Sequence, residues 1–150
     1  MGLVYAELEL TNSDDVAFRR RGFLEEEIRS LRVRALVDSG AYQMVINEHI
    51  KLQLGLRVID ERVVTMADDS ARQVEIVGPL EVHFKNRMTL TSAIVLPGAK
   101  EVLLGSIPME DLDVVIDPKR GTLEVNPENP NIAVTIVKEV RTGISAGPNA

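Results

Sequence analysis

One acid stands where a carboxylate could do chemistry. Ala35-Leu36-Val37 is an aliphatic run that stops abruptly at Asp38-Ser39-Gly40-Ala41, a carboxylate, a hydroxyl and two residues with little or no side chain. The run reads as a fully buried strand, and Gly40 permits a backbone turn closed to residues with a Cβ, so Asp38 is held at the strand's end. Desolvation there would raise the pKa of a carboxyl, and a second carboxylate nearby would split the titration of the pair. That is how such a group becomes a general acid or base near working pH. The other candidates carry less. His49 lies between Glu48 and Ile50 on a predicted helix and His83 alternates away from an apolar face, so both read as isolated surface residues and no metal is expected. Asp68-Asp69 lacks further oxygen ligands at calcium-loop spacing and reads as a turn. Asp117 follows a comparable apolar run, Val114-Val115-Ile116, but Pro118-Lys119-Arg120 comes next and no glycine adjoins the carboxylate. It is not a second copy of the first acid.

The composition bounds what surrounds this acid. At 150 residues, 45% hydrophobic and without a low-complexity tract, the chain reads as one ordinary domain, long enough to bury a core. Only 3% of residues are aromatic and none is Trp, so the core must be aliphatic, and the abundance of Val, Ile and Leu leans towards strands. Zero cysteines exclude disulfides, thiolate catalysis and cysteine metal sites, and the cytoplasm is the default compartment. A net charge of -6 argues against nucleic acid as a partner; the one dense basic run, Arg19-Arg20-Arg21, is followed closely by Glu25-Glu26-Glu27. No apolar run is long enough to span a bilayer, and Met1-Gly2-Leu3-Val4-Tyr5 does not read as a secretory signal, so neither membrane nor export is expected.

The elements that must position the acid follow from periodicity. Residues 4–10 alternate as a half-buried first strand, and 11–30 read as a charged, solvated insertion with one helical turn at 24–28. Residues 32–37 lead into the acid. Asn47 caps a short helix in which Ile46, Ile50 and Leu54 repeat at four-residue spacing, with Gly55 just past its end. Strands at 57–66 and 72–76, joined by Ala67-Asp68-Asp69-Ser70-Ala71, make the best hairpin in the sequence. Gly78-Pro79 then punctuates, and strands are expected at 80–84, 88–91, 93–96 and 102–104, with Lys85-Asn86 and Pro97-Gly98 as turns. A helical turn at 107–112 with Pro108 at its start precedes a hairpin, 114–117 and 122–125. Residues 126–130 have linker composition, 132–137 read as one more apolar strand that must pair with its own sheet or a partner subunit, and 142–150 read as a flexible end.

Asp38-Ser39-Gly40-Ala41, preceded by Ala35-Leu36-Val37 and followed by Val45-Ile46, resembles the Asp-Thr/Ser-Gly-Ala signature of the retropepsin-like aspartic proteases. Val102-Leu103-Leu104-Gly105, ahead of a helix-like stretch, is similar to the hydrophobic-hydrophobic-Gly motif of the same family. The likeness runs from Leu3 to about Asn129 and is nearest to the small single-domain bacterial and archaeal members of clan AA. It implies a mainly β, closed β-barrel-like retropepsin (acid protease) fold with one or two short helices, occupying residues 1–130, with a C-terminal strand and tail over 131–150.

The resemblance further implies an aspartic endopeptidase without cofactor, acting on peptides or unfolded protein. Asp38 would be the catalytic acid and base, Ser39 would brace the loop across a subunit boundary, Gly40 would allow the turn and Ala41 would leave room for the substrate backbone. The hairpin tip, Met66, Ala67, Asp68, Asp69 and Ser70, would be the flap over bound peptide, although it lacks the glycine common at family tips. Such chemistry requires two carboxylates sharing a proton across a water, and this chain supplies one, so the active form is expected to be a homodimer whose two aspartates titrate as a coupled dyad. Ser106 stands where retroviral members carry an arginine after the second glycine, so the interface must be built differently. The alternative of another class is a catalytically silent dimeric domain that keeps the fold to bind a protein partner. A third reading is a β-rich domain in which Asp38-Ser39-Gly40 is only a turn.

Overall fold

The alternation at the start of the chain becomes strand β1 (Tyr5–Asn12), which buries Ala6, Leu8 and Leu10 and turns Glu7 and Glu9 to solvent. It is seen in a computed structural model that describes residues 2–138. β1 pairs antiparallel with β2 (Ser30–Val37), from Tyr5 opposite Leu36 to Thr11 opposite Ser30. The connection between them holds helix α1 (Ser13–Arg20). The one helical turn expected at 24–28 is therefore misplaced: those residues are not helical, and the helix forms earlier. Its cause is local. The Asn12 side chain accepts from the Asp15 amide at 3.0 Å, acids fill the first turn and Arg19 and Arg20 the last, which suits the helix dipole.

β3 (Met44–Ile46) and helix α2 (Glu48–Leu54) follow as expected, with Asn47 accepting from the Ile50 amide at 2.9 Å and Gly55 in the left-handed conformation at φ 63°. Next come β4 (Arg57–Thr65), β5 (Ala71–Phe84), β6 (Arg87–Val95), β7 (Val102–Leu104), helix α3 (Ser106–Leu112), β8 (Val114–Asp117) and β9 (Thr122–Val125). The strand order β4-β5-β6-β3-β7-β2-β1-β9-β8, with an added β5–β1 pairing, closes six of the strands into a ring: β1, β2, β7, β3, β6 and β5. The molecule is a closed, mainly β barrel, and its interior is aliphatic apart from Phe84. The β4 arm and the β8–β9 hairpin hang outside the ring.

Gly78-Pro79 does not end a strand. β5 runs through it, and the register with β6 shifts between Val77 and Leu80. The pair sits where the other edge of β5 changes partner, from β4 up to Gly78 to β1 from Leu80 onward. A residue without an N–H and one without a Cβ are tolerated at such a handover because the ladder is interrupted there anyway. β6 is likewise one strand rather than two. The apolar strand expected at 132–137 forms no ladder among the described residues, and Ile132, Val134, Ile136 and Val137 are exposed. The flexible end expected at 142–150 lies outside the described residues. Among those described, no helix is long and apolar enough to cross a membrane.

Candidate active site

β2 carries Asp38 to the rim of the barrel. β7 lies parallel to it, pairing Ala35 with Val102, Leu36 with Leu103 and Val37 with Leu104, while β3 runs antiparallel on the other side of β7, Val45 opposite Leu103. The connection from β2 to β3 must therefore cross the end of β7, and Asp38 opens that crossing. Its amide donates to the Leu104 carbonyl at 3.0 Å, the last rung of the pairing, and its own carbonyl accepts from the Ala41 amide at 3.1 Å. The carboxylate is half-buried, and its Oδ1 accepts from the Gly40 amide at 2.9 Å.

Gly40 has a reason other than the one expected. Its φ is not among the positive values in the chain; instead, a Cβ built there would lie 3.2 Å from Asp38 Oδ1. Glycine lets its amide approach the carboxylate, so the need is for closeness and not for a left-handed turn. The preceding run is also less enclosed than its sequence suggests: Ala35 is fully buried, whereas Leu36 and Val37 are half-buried. Ser39 and Gly40 are exposed and Ala41 half-buried, so the acid loop presents an uncovered side to solvent.

The two sequence motifs meet in one seam. Past the crossing, the Ala41 carbonyl accepts from the Ser106 amide at 2.7 Å and the Tyr42 carbonyl from the Ile107 amide at 3.0 Å. Gly105 sits directly beneath: a Cβ there would fall 2.2 Å from the Gln43 carbonyl oxygen and 2.6 Å from the Tyr42 carbonyl carbon. Leu103-Leu104-Gly105 thus does more than end a core strand. It provides the flat surface on which the acid loop lies, and the first amides of α3 pin that loop in place. Tyr42 and Ile107, 73% and 52% exposed, stand beside this seam and were not singled out as site residues. The available signal was an aromatic within the short connection after Ala41.

The hairpin tip is built by its own residues. The Met66 amide donates to the Ser70 carbonyl at 2.8 Å, and Ser70 donates both its amide and its hydroxyl to Asp68 Oδ1. The Ser70 hydroxyl is the main reason that the Asp68 carboxyl is held below its ordinary value. Asp69 takes the left-handed conformation at φ 68°, the role that a glycine would otherwise fill. Among the described residues no hydrogen bond or ion pair joins Met66, Ala67, Asp68, Asp69 or Ser70 to Asp38, Ser39, Gly40 or Ala41. Asp117 is likewise engaged as a turn acid, accepting from the amides of Lys119 and Arg120 at 3.0 and 3.2 Å. His49 is exposed, and His83 Nε2 is 2.8 Å from Glu81 Oε1.

This architecture has a counterpart among solved structures. The retroviral protease-like domain of Ddi1 from Leishmania major superposes with a TM-score of 0.54 at 18% identity, over 85% of this chain and 90% of that one. The fold is retropepsin-like. No family model matches the sequence, and neither does any curated protein. The likeness is therefore one of fold alone.

Proposed function

We propose that two copies of this chain form an aspartic endopeptidase, each giving one Asp38 to a shared site. The observation that carries the reading is the placement of Asp38: a half-buried carboxylate at a strand end, on a loop pinned from below by α3 and left open above, with no ion pair among the described residues. Asp15, by contrast, is tied down by the Arg29 guanidinium and Asp117 by two amides of its own turn, whereas the Asp38 carboxylate accepts from one amide, that of Gly40. A second Asp38 on a two-fold axis completes a pair that holds one proton and one water. The ionised member takes a proton from that water as its oxygen attacks the scissile carbonyl carbon, and the protonated member donates to the carbonyl oxygen. The tetrahedral diol then expels the amine, which receives a proton from the protonated member while the ionised member takes one from a diol hydroxyl. A carboxylic acid and an amine leave, and the pair again holds a single proton.

In this reading Ser39 braces its loop against the partner's, Ala41 leaves space for the substrate backbone, and the tip from Met66 to Ser70 folds over an extended peptide. The hydrolysis uses no metal or cofactor. The test is incubation with an unfolded protein or peptide library across acidic to neutral pH. Cleavage with a bell-shaped acidic profile, abolished in Asp38→Asn while the folded dimer persists, supports the peptidase. Intact substrates at every pH, with the dimer present, would transfer the fold to the alternative role of binding a protein partner.

A further inference from the structure

The Asp113 carboxylate accepts three hydrogen bonds, as many as that of Asp15, and what it holds is the chain beyond the barrel. It caps α3 in the left-handed conformation at φ 54°. Its Oδ1 accepts from Asn126 Nδ2 at 2.9 Å, and its Oδ2 accepts from Asn129 Nδ2 at 2.8 Å and from the Val134 amide at 3.0 Å. Its carbonyl accepts from the Asn126 amide at 3.1 Å. Beside it lies Arg87, 2% exposed, whose Nη2 is 3.7 Å from Asp113 Oδ2 and also donates to the Asn129 carbonyl. Nε and Nη1 of that guanidinium have no partner among the described residues. A buried cation with two unmade bonds is costly to keep, and its remaining interactions all go to Asp113 and the segment after β9. Asn86 adds a further bond, to the Pro130 carbonyl at 2.9 Å. Residues 126–134 are thus a strap, tied to the far end of α3 and to the β5–β6 turn.

The near end of α3 is the seam under Asp38. The helix has seven residues, so its two ends are about 10 Å apart. Pro108, Met109 and Leu112 are buried against the barrel, which makes it a short strut rather than a surface helix. We propose that Asp113 is a positioning residue for the acid loop: by clamping the strap to the C-terminal end of α3, it fixes the Ser106 and Ile107 amides that hold the Ala41 and Tyr42 carbonyls. The role rests on Asp38 as the reacting acid, but the mechanical coupling exists whether or not the chain cleaves peptides. Asp113 touches no residue of the acid loop itself.

Hydrogen exchange of the Ser106 and Ile107 amides in the full chain reads this coupling directly. Val134→Pro removes one donor to Asp113 from a half-exposed position and leaves the core intact; Asp113→Asn keeps one carbonyl acceptor; Asp113→Ala removes both. Exchange at Ser106 and Ile107 is expected to rise about tenfold in Val134→Pro, the scale of one lost bond to a charged acceptor, and further in Asp113→Ala, with Asp113→Asn between them. The β2 amides should not change. Where cleavage is measurable, kcat should fall in the same order with KM little altered. Unchanged Ser106 and Ile107 exchange in Val134→Pro, with faster exchange confined to the strap, would overturn the proposal. A chain that cleaves nothing would sink the peptidase reading alone, because the exchange readout needs no activity. Should Asp113→Ala fail to fold, the Val134→Pro result still decides.

Discussion

Gly105→Ala isolates the seam on which the acid loop rests. Gly105 has φ -82° and ψ 177°, a conformation open to any residue, so the substitution carries no backbone penalty and its cost is steric. The new Cβ would approach the Gln43 carbonyl oxygen to 2.2 Å, and since Cβ contacts below 3.0 Å essentially do not occur, the crossing chain must retreat by at least 0.8 Å. Both partners are backbone, so no rotamer change relieves the clash. That retreat stretches the Ser106–Ala41 and Ile107–Tyr42 hydrogen bonds, now 2.7 and 3.0 Å. Two stretched bonds, weakened by about 1 kcal/mol together, and an overpacking cost of about 1–3 kcal/mol give a loss of about 2–4 kcal/mol. Urea unfolding at fixed protein concentration should show the midpoint falling by about 1–2 M, for an m-value of about 2 kcal/mol/M. Gly98→Ala is the control: φ is 82° and nothing lies within 4 Å, so only the left-handed penalty of about 1 kcal/mol applies. If Gly105→Ala costs no more than Gly98→Ala, the loop does not rest on this glycine and the seam has been misread.

Other outcomes follow from the same contacts. Asp15 is buried and accepts from the Arg29 amide, Nε and Nη2 at 3.0, 2.8 and 2.8 Å, so Asp15→Ala should cost about 2–3 kcal/mol in a denaturant titration, less than a fully enclosed pair because Arg29 is half-exposed. Arg29 holds the Asp15 carboxyl below its ordinary value despite burial, and Asn126 chiefly does the same for Asp113. A depressed folded pKa gives stability that is present above the unfolded value near 3.9 and lost as pH falls through the folded value, so thermal stability should drop below about pH 4, and less steeply in Asp15→Asn. Asp69→Gly should raise thermal stability slightly, by at most about 1 kcal/mol, by relieving the left-handed conformation; a clear loss would mean that the Asp69 side chain supports the tip.

How far the sequence led depended on the range of the interaction. The Asn47 cap, the Gly55 stop, the 114–125 hairpin and the alternation of β1 are set by neighbours a few residues apart, and all were legible. α1 was missed because the capping Asn12 was read as part of a solvated loop, while the triple glutamate drew the helix to 24–28. Gly78-Pro79 looked like a stop because turn chemistry is local, whereas the handover of β5 from β4 to β1 depends on strands distant in sequence. At the site, both motifs were visible and their spacing suggested a shared role, but not that Gly105 lies under Gln43 or that Asp113 holds a strap. Those facts belong to chain crossings, for which one-dimensional periodicity has no signal.

The central claim is that two acid loops face each other across an axis, and the absence of cysteine from the sequence makes this directly measurable. Ser39→Cys places a single exposed thiol next to Asp38, and a disulfide between copies requires Cα atoms roughly 4.4–6.8 Å apart. Leu52→Cys, at a residue of α2 that is 69% exposed, serves as the reference for random encounter. Mild oxidation should convert the Ser39→Cys chain rapidly and nearly completely to a covalent dimer while Leu52→Cys stays largely monomeric. Equal, slow cross-linking at the two positions would mean that the loops do not meet, and the shared-acid account would be wrong.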